Sequence, residues 1–97
     1  MIEVRKTDTS LTVTGHANYA PKGEDIVCAG VSALVSTLEL SLLDLAMSKI
    51  ECDWTDSGCM FVWNYLNEDE ELLIDSCVLG IEAIAETYPG YVRMIID

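Results

Sequence analysis

Basic residues are scarce. Five lysines and arginines stand against 17 aspartates and glutamates, a formal net charge of −12, so a phosphate backbone is repelled and no nucleic-acid partner is expected. A basic protein partner is compatible with this charge, as is the plainer account that surplus carboxylates keep a small protein soluble. Two prolines and six glycines are too few for a low-complexity linker, and no internal repeat is present. Histidine occurs once, at His16, and the four cysteines form no C-x-x-C pair. Without that spacing, Cys52 and Cys59 with one distant histidine make a poor zinc set, so no metal and no cofactor is expected.

A charge-free apolar run long enough for a membrane span is also missing. The most apolar segment, residues 26–47, is interrupted by Glu39, Asp44 and several serines, which is costly in a bilayer but ordinary in a core helix. The first residues, MIEVRKTDTS, lack a basic stretch followed by an apolar run, so no secretory signal is expected and the chain is placed in the cytoplasm. In that reducing compartment Cys28, Cys52, Cys59 and Cys77 are free thiols rather than disulfides.

What is present is a chain of 97 residues with 51% hydrophobic content, enough for one domain (1–97) around one core. Residues 2–6 and the run through Leu11 and Val13 to Gly15 alternate as two strands joined by TDTS. Asp25 is placed as the N-cap of a helix reaching about Lys49, with Val27, Val31, Leu34, Leu38, Leu42 and Leu45 on its buried stripe. Leu40, Leu43 and Met47 widen that surface toward a second buried face, of the kind a dimer interface provides. Residues 51–55 and 59–65 flank a DSG turn as a second hairpin.

The acidic run NEDEE at 67–71 suits the first turn of another helix, where the macrodipole favours carboxylates, although it also reads as a solvated face. Leu73, Cys77, Ile81 and Ile84 continue that helix to YPG at 88–90, and residues 91–96 end the chain as a strand. The expected fold class is α+β, a mainly antiparallel sheet with two helices covering one face, in the order β-β-α-β-β-α-β.

His16 and Cys28 carry the available chemistry. Cys28 falls in the first helical turn, where the dipole's positive end stabilises a thiolate and helix-start amides could hold an oxyanion. The 11 residues between the two can fold back and bring the imidazole to the helix start. Asp25, Cys28 and Ser32 project from one side of the helix. Asp25 fits either a cap or an orienter of His16. The plain alternative makes Cys28 a small buried hydrophobe, the reading also given to Cys52, Cys59 and Cys77, with Gly15 and Gly23 as ordinary turn residues and Gly30 as a helix-packing contact. On that alternative the chain is a non-catalytic acidic module binding a basic protein.

GHA at 15–17 followed by KGEDIVCAGVSAL at 22–34 resembles the ribosomal-processing cysteine proteases called Prp. The resemblance implies a cysteine endopeptidase with Cys28 as nucleophile and His16 as general base. It also implies supporting roles for Asp25, Gly15 and Ser32, and a flexible loop made of Ala17, Asn18, Tyr19, Ala20, Pro21, Lys22, Gly23 and Glu24. A homodimer is implied too. Members of that family remove the N-terminal extension of a basic large-subunit ribosomal protein, and some process phage capsid or scaffold proteins, so this substrate class is the expected partner. The resemblance assigns no role to Cys52, Cys59 or Cys77.

Overall fold

The computed structural model describes all 97 residues. Seven elements follow in the expected order: β1 (Ile2–Lys6), β2 (Ser10–Thr14), α1 (Ile26–Asp44), β3 (Cys52–Thr55), β4 (Gly58–Val62), α2 (Glu68–Thr87) and β5 (Val92–Ile96). The strands form one sheet ordered β3-β4-β2-β1-β5. Three of its pairs are antiparallel, and β1 with β5 is parallel. A tight hairpin cannot make that last pair; the chain needs α2 to carry it across before β5 can run alongside β1.

Strand alternation turns Ile2, Val4, Leu11, Val13, Cys59, Phe61 and Val92 to one face, where both helices cover them. Glu3, Arg5, Thr12 and Arg93 lie on the other. The most deeply buried side chains are Phe61, Leu11, Leu42, Ile74 and Ile81, each contributing about 1.5–3 kcal/mol relative to exposure. The helices approach closely at two glycines. A Cβ on Gly30 would lie 3.1 Å from Ile84 Cδ1, and one on Gly80 would lie 3.0 Å from Leu34 Cδ1. Gly30 is thus the packing contact its sequence position allowed.

Several boundaries differ from expectation. The first helix stops at Asp44 instead of Lys49, because Met47 turns left-handed at φ 50°. The Ser48 amide then donates back to Leu42 O, and the Ser48 hydroxyl donates to Glu70. Leu45, assigned to the stripe, is 74% exposed as a result, and Val35 takes a place in the core. Strand β4 ends at Val62, and Trp63 instead folds its indole N–H onto Asp8 O at 2.8 Å, closing the end of the first hairpin.

The start of α2 is both helix-dipole site and cap. Asn67 accepts from the Glu70 amide, and the Glu70 carboxylate accepts from the Asn67 amide. Glu68, Asp69 and Glu71 remain at the surface, while Glu70 is buried because Asn67 and Ser48 satisfy it.

Candidate active site

β2 ends at Thr14, and the chain must then leave the sheet sharply. Gly15 makes that turn at φ 87°, its N–H donating to Ser57 O at 2.8 Å; a Cβ there would sit 2.6 Å from Met1 O. Only glycine takes this position without strain. His16 follows with an exposed ring that makes no hydrogen bond to protein, free to face a ligand. Ala17 is buried, and its amide donates to Cys28 Sγ at 3.3 Å. That single contact brings the strand end and the helix start together across the connection.

Asp25 anchors the other side. Its Oδ1 accepts from the amides of Val27 at 3.0 Å and Cys28 at 2.9 Å, and its Oδ2 accepts from the Tyr19 amide at 3.0 Å. The Cys28 amide foremost, with the Tyr19 amide after it, holds the Asp25 carboxyl below its usual range. All three bonds come from the main chain and none from His16, so in this geometry Asp25 is a cap and a loop fastener. The same bonds alter the expected oxyanion site. With the Val27 and Cys28 amides committed to Asp25, two of the four helix-start donors are already taken.

Two cavities meet at Cys28. One of about 220 Å³ has an apolar floor from Ile2, Val13, Val31 and Val35 and a rim from the β3–β4 turn. The other, about 670 Å³, opens under the loop from Asn18 to Asp25. His16, Cys28 and Ser32 line both. Gly15 borders the smaller cavity and Gly23 the larger, so the predicted site residues are brought to one place.

The remaining thiols are differently placed. Cys59 and Cys77 are buried, which pushes both upward, Cys77 to about 11. Cys52 is also held well above its ordinary value, first by burial and then by Cys59 beside it. All four cysteines are free, and the three raised ones are poor nucleophiles at neutral pH.

Sequence reasoning missed the β3–β4 contribution. Trp54, Thr55, Asp56 and Ser57 form the rim of the smaller cavity, and Trp54 Nε1 donates to Glu39 Oε1 at 3.2 Å. Nothing local in those residues signals a role near Cys28, because β4 pairing with β2 is what carries their turn there.

A sequence profile described as Cysteine protease Prp matches residues 1–93. The chain belongs to the Prp family of cysteine proteases. The ribosomal processing cysteine protease Prp of Bacillus subtilis (strain 168) is 30% identical over 92 residues, covering 88% of this chain and 82% of the relative. Its Staphylococcus aureus (strain Mu50 / ATCC 700699) counterpart is 26% identical over 89 residues, covering 89% and 84%. A crystal structure of Prp from S. aureus in complex with a covalently linked product peptide matches with a TM-score of 0.89 at 21% identity, over 99% of this chain and 97% of that one. SMU.848 from Streptococcus mutans matches with a TM-score of 0.74 at 32% identity, over 100% and 96%.

Proposed function

We propose that this chain removes the N-terminal extension of a basic large-subunit ribosomal protein by cysteine acyl transfer. The observation that carries the reading is the meeting of two cavities at Cys28 and His16, which lets a peptide extend away from the sulfur in both directions. The names of the B. subtilis and S. aureus relatives support the substrate class. The net charge of −12 adds attraction for a basic chain.

The Cys28 thiolate attacks the peptide carbonyl, and His16 delivers a proton to the departing amine. Water, deprotonated by His16, then hydrolyses the thioester and frees the sulfur. The oxyanion formed at each step needs a donor other than the Val27 and Cys28 amides, which Asp25 occupies. Ser32 borders the reacting atoms from the next turn of α1.

The active form in this proposal is a cytoplasmic homodimer. Leu40, Leu43 and Met47 are 59%, 61% and 79% exposed in the isolated chain, an uncovered apolar surface that a second copy would bury. Light scattering should give twice the chain mass, and Leu43→Glu should halve it.

Incubating the purified protein with the extended ribosomal protein and weighing the products should show one new N-terminus. No cut, or an undiminished cut by Cys28→Ala, overturns the proposal. Phage capsid or scaffold proteins are the alternative substrates of the same site, and a faster cut of those under identical conditions would reassign the physiological target.

A further inference from the structure

The residues around His16 are fastened at three main-chain points: Gly15 to Ser57, Ala17 to the Cys28 sulfur, and Tyr19 to Asp25. A fourth contact is made by a side chain. The Tyr19 ring stands edge-on to Tyr88, with centroids 5.3 Å apart at 79°, and to Tyr91, at 5.1 Å and 75°. Both geometries fall in the favourable range for aromatic pairs.

Tyr88 and Tyr91 belong to the framework. The Tyr88 amide closes the end of α2 on Ile84 O, and Tyr91 O accepts from the Ile2 amide at the start of β1. Tyr19 belongs to the loop. Beyond it, Pro21 to Glu24 are exposed and make one main-chain bond, from the Glu24 amide to Pro21 O within the segment itself. The loop is thus divided at Tyr19 into a fastened half and a free half.

We propose that Tyr19 is a positioning residue: clasped between Tyr88 and Tyr91, it holds the Ala17 amide against the Cys28 sulfur and confines loop movement to residues 21–24. The inference rests on Cys28 being the nucleophile of the proposed reaction. An N–H donor on sulfur is strongest when the sulfur carries charge, so the clasp keeps that donor in place for the attacking sulfur. The tyrosine hydroxyl has no part in it, because the contacts are made by the rings.

The test compares the full chain with Tyr19→Ala and Tyr19→Phe by three readouts: iodoacetamide alkylation of Cys28 at neutral pH, hydrogen exchange of the Ala17 amide, and the split between kcat and KM. Tyr19→Ala should alkylate about fivefold more slowly, exchange the Ala17 amide faster by a similar factor, and lose kcat with little change in KM, as two edge-to-face contacts are lost. Tyr19→Phe should restore all three. Wild-type alkylation and exchange in folded Tyr19→Ala would overturn the clasp, as would failure of Tyr19→Phe to restore them. Should Tyr19→Ala not fold, Tyr19→Leu, which keeps apolar bulk without the aromatic edge, is judged by the same criteria. Alkylation and exchange require no peptide cleavage, so a chain that cuts nothing would defeat the protease reading and leave the clasp measurable.

Discussion

Cys28 and Cys77 are both helical cysteines among apolar neighbours, yet they occupy opposite chemical situations. Cys28 lies in the first turn of α1, half-buried, with an amide on its sulfur and two cavities in front of it. Cys77 lies in the middle of α2 at 5% exposure, its thiol 3.6 Å from Leu34 O and its acidity suppressed by burial. Position along the helix makes the difference. A helix start offers a dipole end and an open side toward the preceding loop, whereas a helix middle offers only packing.

The largest expected contrast comes from removing each sulfur, with hydrogen in place of the thiol. Cys28→Ala should lower peptide cleavage by at least about a thousandfold with the melting temperature nearly unchanged. Cys77→Ala should leave cleavage intact and cost about 1 kcal/mol of stability, read from chemical denaturation. Equal losses of activity in the two variants would erase the distinction.

Substitutions at the supports of Cys28 should give smaller effects that act on fold and activity together. Gly15→Ala forces a Cβ to 2.6 Å from Met1 O at a positive φ and should cost about 1–3 kcal/mol while displacing His16; wild-type stability would contradict the turn. Asp25→Ala removes the cap and should lower the melting temperature by several degrees and slow cleavage. The Asp25 carboxyl is held below its usual range in the fold, so its stabilisation is present above the unfolded value and fades as pH falls through the folded one. Asp25→Ala should therefore flatten the acid limb of a stability profile.

The smallest effect should lie at the alkaline end. Cys77 titrates at about 11 in the fold against an ordinary 9.0, so its contribution is complete below about 9 and is lost as pH climbs through 11. Denaturation midpoints should decline across that interval, and Cys77→Ala should make the decline shallower. An unchanged slope would show that ionisation of this thiol is not linked to unfolding.

Much of the site was legible along the chain because its parts are local. His16 stands at a strand end, Asp25 is a capping residue, and Cys28 follows three positions later, so each could be placed by its neighbours. The end of α1 was not legible: a non-glycine residue, Met47, takes the left-handed turn, and the partner of Ser48 is Glu70 on another element. The loop looked uniformly mobile because Tyr19 finds Tyr88 and Tyr91 only after α2 has brought them back.

Local chemistry in the sequence was enough to determine the element order, the single core, and the placing of His16 and Cys28 at the two ends of one loop. Periodicity, capping and turn residues act within a few positions of themselves, so those features can be read without a fold. Only the tertiary structure decided the parallel β1–β5 pair, the cavity rim supplied by Trp54 to Ser57, and that the Asp25 carboxylate meets main-chain amides and not His16. The first two depend on contacts between residues distant in sequence. The third depends on how a carboxylate is aimed, which the presence of an aspartate at position 25 leaves open.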